Sequence, residues 1–206
     1  MALKQNLILS LGILYVCLSC LSCQTEAEAE KPDIIIILAD DLGYSDVGFH
    51  GSDIQTPNID WIAEQGVALA AFYAAPMCSP TRAGLMTGRY PLRFGMMRAV
   101  VPPYRNFGLD PAEDFLPEML ERAGYQHRAC IGKWHLGHAD PKWHPTSQGF
   151  SHFVGCYSGA ADYFTRERVG EGDWHHNEKT IRSEGYTTDR ITQAAVNFIE
   201  ETPEDE

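Results

Sequence analysis

Three short groups of residues in this chain have the types and spacing to do chemistry. The first is Cys78-Ser79-Pro80-Thr81-Arg82, which runs on into Ala83-Gly84-Leu85-Met86-Thr87-Gly88-Arg89. Ser79 is an N-cap candidate and Pro80 suits the first helical position, so the spacing predicts a helix over 80–87 that stops at Gly88. Position 78 then sits beside a helix N-terminus, where free backbone N–H groups and the helix dipole favour an anion. The plainer reading of such a cysteine is a buried structural thiol ahead of a helix. The second group is Asp40-Asp41. Adjacent carboxylates at a strand end hold a hard divalent cation through oxygen, while the plainer reading is a turn with solvated charges. The third is Gly132-Lys133-Trp134-His135-Leu136-Gly137, where the plainer reading is a surface turn anchored by Trp134. His135-Leu-Gly-His138 and His175-His176 have zinc-like spacing, but no second ligand group completes a zinc site in the sequence. His50, His144 and His152 read as structural or rim residues.

The elements that must position these groups alternate between strand and helix. Asp33 to Ala39 is a continuous apolar, β-branched run, which predicts a strand buried on both faces of a parallel sheet. Thr56-Pro57 opens a helix with Ile59, Ile62 and Ala63 on one face and Gly66 as its stop. Val67 to Tyr73 predicts a second strand. Asp114 to Ala123 is a further helix ended by Gly124, and His127 to Ile131 is a short strand. Pro141 to Asn177 lacks a clear period and reads as irregular structure. Thr187 or Thr188 caps an amphipathic helix with Ile191, Ala194, Ala195, Phe198 and Ile199 on one face. This order implies an α/β sheet with right-handed crossovers. Each of the three groups follows a predicted strand, and ligand sites in open α/β sheets lie beyond the carboxyl ends of the strands.

The chain has 206 residues and a formal net charge of −12. That length supports one domain with a real core. The charge argues against a general nucleic-acid binder, because no basic stripe faces the phosphates. Lys4 followed by an apolar run from Leu7 to about Leu21 is a targeting segment of signal-peptide type, too short for a membrane span. Residues 1–23 are therefore read as signal peptide, 24–31 as an acidic linker and 32–206 as a catalytic-domain segment. Ser22-Cys23 fits the end of a bacterial lipoprotein signal, with Cys20 where Leu is usual, so Cys23 is a candidate lipid anchor. The protein is expected to be exported: periplasmic, an outer-membrane lipoprotein or secreted. Beyond this segment stand Cys78, Cys130 and Cys156. Cys130 and Cys156 read as two separate buried thiols rather than a disulfide.

The Cys78 motif resembles the signature of the sulfatase family, C-x-P-x-R followed by Thr-Gly-Arg. The resemblance also runs through Ala39-Asp40-Asp41-Leu42-Gly43-Tyr44, Thr56-Pro57-Asn58-Ile59-Asp60 and the Gly132–Gly137 group, in the family's order. It covers about 31–199 and is nearest to the arylsulfatase A and B type. It implies an alkaline-phosphatase-like α/β fold with a mixed, mainly parallel sheet. It also implies that Cys78 is oxidised to formylglycine by a formylglycine-generating or anaerobic sulfatase-maturating enzyme. Asp40, Asp41 and the converted position 78 would then hold calcium. One hydroxyl of the hydrated aldehyde would attack sulfur, and the other would later lose its proton and expel sulfate. By the same resemblance, Arg82 orients the formylglycine, Lys133 holds it and a sulfate oxygen, and His135 hydrogen-bonds the diol. The implied activity is hydrolysis of sulfate esters, of sulfated carbohydrates or small aryl sulfates.

The family has further residues that follow a helix like the one over 187–199: a second catalytic His, an Asp-Asn or Asp-Gln metal pair and another sulfate-binding Lys. None has a candidate in these 206 residues, so the chain reads as the N-terminal part of a sulfatase with little or no turnover by itself. Two other functions remain open: a non-catalytic product that binds calcium or sulfated glycans, and a phosphatase or phosphonate monoester hydrolase of the same superfamily.

Overall fold

The computed structural model describes residues 31–203. The signal peptide, most of the acidic linker and the candidate anchor Cys23 lie outside the described residues. Two compact units divide the chain after Gly43.

In the first unit, residues 31–39 are extended and form no ladder with any described strand. Ile34 to Leu38 are 41–82% exposed. The expected buried strand over 33–39 is therefore not observed. An apolar β-branched run specifies a demand for burial and pairing, but a strand exists only once a neighbour supplies the other half of the ladder. Asp40 and Asp41 form a bend after this run and are exposed. Asp41 is in the left-handed region with φ 60°, which Asp tolerates better than most residues.

The second unit begins at Tyr44. Short 3-10 turns at Tyr44–Asp46 and Gly48–His50 precede helix α1, Pro57–Gln65. Pro57 starts it and Gly66 ends it, as expected. Thr56 and Asp60 lock the entry. The Thr56 hydroxyl donates to Asp60 Oδ1 at 2.9 Å and accepts the Gly48 amide at 2.8 Å, and Asp60 Oδ1 also accepts the Phe49 amide at 2.9 Å. Residues 67–73 are irregular and exposed rather than a strand. Ala68, Ala70 and Ala71 carry too little packing surface to hold a ladder.

Helix α2 spans Cys78–Thr87 and ends on Gly88 with φ 63°. It starts two residues earlier than the Pro80 expectation, with Met77 as N-cap. Helix α3, Leu116–Arg122, is entered through Glu118, whose carboxylate accepts the Phe115 amide at 2.9 Å. Strand β1, Ala129–Lys133, pairs in parallel with β2, His152–Cys156. Between them run 3-10 turns at Pro141–Trp143 and Pro145–Gln148. A hairpin of β3, Glu167–Arg168, and β4, Glu171–Gly172, stands alone. Strands β5, His175–His176, and β6, Lys179–Thr180, complete a four-stranded sheet in the order β1-β2-β5-β6, antiparallel after the first pair. Helix α4, Thr187–Glu201, closes the described chain.

The region 141–177 is thus more ordered than its sequence suggests. In β2, His152-Phe153-Val154-Gly155-Cys156 mixes small and polar residues, yet Phe153 and Gly155 are buried while their neighbours are only partly so. That is the period-2 pattern of a half-buried strand. Gly132 and Gly155 face each other across β1 and β2, and a Cβ on Gly155 would fall 1.8 Å from the Gly132 carbonyl oxygen. The core gathers Ala83 of α2, Met96, Val101, Leu109, Phe115, Trp134, Leu136, Phe153 and Tyr157. It therefore lies between α2, the 96–115 segment and the carboxyl ends of β1 and β2. Neither Thr187 nor Thr188 caps α4. Tyr186 is the N-cap, and the Thr187 hydroxyl and amide both bond to the Tyr163 carbonyl, at 2.6 and 2.8 Å.

Candidate active site

Cys78 is the first residue of α2, so its side chain emerges where the helix leaves its amide donors open. Its Sγ lies 3.1 Å from His135 Nδ1. The other ring nitrogen, Nε2, lies 3.0 Å from the Val101 carbonyl oxygen. A carbonyl only accepts, so Nε2 carries a proton, and in the neutral ring Nδ1 then faces Cys78 with its lone pair. In that form the imidazole is poised to take a proton from the group at position 78.

Ser79 fixes this arrangement. Its hydroxyl donates to the His135 carbonyl at 2.9 Å and accepts the Val101 amide at 2.9 Å. With the Nε2 bond to Val101, this makes a closed ring of three hydrogen bonds among Ser79, Val101 and His135. All three residues are buried, at 0%, 3% and 5% exposure. Ser79 is thus a lock between α2 and the segment after β1, not a helix cap. His135 has φ 61°, an uncommon backbone for a non-glycine residue that the surrounding bonds must hold.

Arg82 lies one turn into α2 and donates to the Lys133 carbonyl. Lys133 is the last residue of β1, opposite Cys156 of β2. The structure therefore brings Cys78, Arg82, Lys133 and His135 to one place, where the N-terminus of α2 meets the carboxyl end of β1. Asp40 and Asp41 belong to the first unit and are described there. Cys130 and Cys156 are free thiols. They stand three residues out of register on the parallel pair, about 10 Å apart along the strands, beyond disulfide reach. Burial pushes both thiols up to about 12, which keeps them protonated and inert.

The carboxyl end of β2 also serves the site, and the sequence did not disclose this. The His135 amide donates to the Tyr157 carbonyl at 3.1 Å. Gly159 lies flat against the His135 ring, and a Cβ there would come within 2.3 Å of Cε1. Buried Asp173 holds this turn by accepting the amides of Tyr157 and Ser158, both at 2.9 Å, and the Ser158 hydroxyl. Burial raises the Asp173 carboxyl, but these bonds and one from His175 outweigh it and hold it at about 2. Reading β2 as a strand would have placed Tyr157-Ser158-Gly159 at the sheet edge beside Lys133 and His135.

The sequence profile described as Sulfatase matches residues 32–206. Mouse N-acetylgalactosamine-6-sulfatase is 36% identical over 91% of this chain, and mouse arylsulfatase J is 40% identical over 68% of it. The chain spans 40% and 23% of those two relatives, well under their full length. Among solved structures, the crystal structure of Ps i-CgsB superposes with a TM-score of 0.76 at 37% identity, over 83% of this chain and 42% of that one. The same protein has been solved in complex with k-i-k-neocarrahexaose. The match runs through the cysteine, lysine and histidine groups that the fold brings together, and on that ground this chain belongs to the sulfatase family.

Proposed function

We propose that the protein carrying this chain hydrolyses sulfate esters of carbohydrates, with Cys78 converted to formylglycine as its nucleophile. The observation that carries the reading is the 3.1 Å approach of Cys78 Sγ to the acceptor Nδ1 of a tautomer-fixed His135, at the N-terminus of α2. The carbohydrate preference is supported by the oligosaccharide complex of Ps i-CgsB and by the N-acetylgalactosamine-6-sulfatase relatives.

Converted to formylglycine, position 78 would supply a hydroxyl nucleophile and a carbonyl-forming route for releasing sulfate. His135 Nδ1 accepts the proton at position 78. Arg82 and Lys133 supply positive charge on the side where sulfuryl oxygens gather charge, and the open amides of α2 add to it. Asp40 and Asp41 offer hard oxygen donors that fit calcium, whereas the unconverted thiol at 78 is a soft donor that does not. The donor set thus fits calcium only after conversion. Export fits this chemistry too, since sulfated glycans are met outside the cytoplasm.

The test is expression of the complete reading frame that contains residues 1–206, together with a maturating enzyme. Sulfate release from sulfated oligosaccharides is compared with phosphate release from matched phosphate esters. Sulfate release that depends on Cys78 and calcium is expected. Preferential phosphate release would replace this reading with a phosphatase of the same fold. An unconverted Cys78 peptide by mass spectrometry from a fully active enzyme would overturn the formylglycine role.

A further inference from the structure

The geometry points to a second metal site in this chain, a zinc-class centre formed by His138, Asp173 and His175. One ligand atom from each residue lies within 4.8 Å of the others. His138 comes from the segment after β1, Asp173 from the link between β4 and β5, and His175 opens β5. The sequence shows two separated histidine groups without a completing ligand. The fold supplies that ligand as Asp173.

His138 provides a second, independent observation. Its Nδ1 is buried and has no hydrogen-bond partner. The neighbouring imidazole of His144 satisfies both nitrogens, through Glu178 and through the His138 carbonyl at 2.9 Å. His175 likewise uses Nε2 toward Asp173 Oδ1 at 3.0 Å and Nδ1 toward the Thr180 hydroxyl at 3.3 Å. His138 thus brings a buried, unpartnered ring nitrogen to a cluster that already holds a carboxylate and a second imidazole, which a ligand role would explain.

Two imidazoles and one carboxylate form a borderline N/O donor set, suited to zinc and disfavoured by calcium and magnesium. Three protein ligands leave a fourth position for water, as in open zinc sites. Asp173 is already oriented: Oδ2 accepts the amide and hydroxyl of Ser158, and Oδ1 accepts the Tyr157 amide. Such supporting bonds to a ligating carboxylate raise metal affinity. The ion takes the place of the proton between His175 Nε2 and Asp173 Oδ1. The ring keeps one proton, which moves to Nδ1 and is accepted by the Thr180 hydroxyl. For a neutral His175 ring, Thr180 donates in the free state and accepts in the bound one. With ligand bonds of about 2.0–2.1 Å, a tetrahedral ion needs the Nε2–Oδ1 separation to open by roughly 0.3 Å. The bound ion would staple the segment after β1 to β5.

Cobalt titration of the metal-free full chain tests this, in a Cys78→Ala background that removes the nucleophile's thiol. One equivalent of cobalt with tetrahedral visible bands, displaced by zinc but not by calcium, is expected together with a rise in melting temperature. His138→Phe keeps the ring packed near Tyr104 and Tyr157 and removes both nitrogens, so the bands and the thermal shift should vanish. Absence of the bands in the Cys78→Ala protein overturns the site, whatever the variant's stability. So do bands that persist in His138→Phe, or thiolate charge-transfer bands, which would place the ion on other histidines or on Cys130 and Cys156. The reading does not depend on sulfatase activity and can fail without affecting it.

Discussion

The Ser79 hydroxyl donates to the His135 carbonyl across 2.9 Å, joining the first turn of α2 to the segment that follows β1. Cys78 and His135 are 57 positions apart, so their contact depends on two separate elements keeping a fixed distance. Ser79 lies between them in effect: adjacent to the nucleophile in sequence and bonded to the histidine in space.

Ser79→Ala removes the acceptor of the buried Val101 amide and the donor to His135 at once. Leaving a buried amide unsatisfied costs about 1–3 kcal/mol. The variant should unfold at correspondingly lower urea with an unchanged m-value, and turnover should fall because His135 loses its register with position 78. Urea unfolding followed by tryptophan fluorescence reads the first effect, and sulfate release by the complete protein reads the second. Wild-type stability in the variant would show that the Ser79 bonds contribute nothing.

Gly159→Ala probes the other side of the ring. The new methyl would approach His135 Cε1 to 2.3 Å, so the imidazole must move. Misplacing a catalytic group by about 1 Å can cost on the order of 10²-fold in rate. The expected result is a fall in kcat of that order with a smaller change in stability, because Gly159 is only partly buried. Equal kcat in wild type and variant would mean that His135 is not held from this side.

How far this site is legible in the sequence depends on the range of the interactions involved. Cys78, Arg82, Lys133 and His135 announce themselves because their motifs are contiguous, and α1 does so because Pro57 and Gly66 mark its ends locally. Ser79 departs from its local pattern for the same reason: a Ser before a Pro has a good local explanation as a cap, and its partners lie at Val101 and His135. Asp173 and Gly159 act only through β2, whose Gly155 and Cys156 obscure the strand pattern. Residues 33–39 fail in the opposite direction. Their apolar pattern is strong, but a strand also requires a partner, and pairing is not a property of seven residues.

The two inert thiols give a pH prediction. Cys130 and Cys156 are pushed from 9.0 up to about 12 by burial. In the unfolded chain they ionise near the ordinary value, so between pH 9 and about 12 the unfolded state binds fewer protons than the native one. Stability is therefore unaffected by these groups below pH 9 and falls as pH rises through that window. Cys130→Ala/Cys156→Ala should flatten the alkaline limb of a plot of unfolding free energy against pH. At pH 8, iodoacetamide should leave both native thiols unlabelled and modify them in denaturant. Rapid native labelling of either one would contradict the assignment.

Gly155→Ala tests whether the close approach of β1 and β2 sets the position of Lys133. The added Cβ meets backbone rather than a movable side chain, at 1.8 Å from the Gly132 carbonyl oxygen. Strands β1 and β2 must separate locally or the ladder must break. A loss of at least about 3 kcal/mol is expected, in the range of severe overpacking. Loss of amide protection at Lys133 and Trp134 by hydrogen exchange would locate the damage. A variant with parent-like melting temperature and protection would show that the glycine pair is dispensable.

His135→Asn separates the histidine's structural work from its chemical work. Asn tolerates the left-handed backbone that His135 adopts at φ 61° better than most residues do. Its side-chain oxygen can accept a bond from position 78, much as Nδ1 does, but its amide is too short to reach the Val101 carbonyl as Nε2 does. The buried Val101 carbonyl loses this partner, so stability should drop by about 1–3 kcal/mol rather than collapse. Turnover should fall by 10²-fold or more, because an amide accepts a hydrogen bond without taking up a proton, and general acid–base help contributes about 10²–10⁴-fold. His135→Ala should lose as much activity and noticeably more stability. If Asn retained near-parent kcat, His135 would be a positioning residue only, and the proton from position 78 would have to go elsewhere.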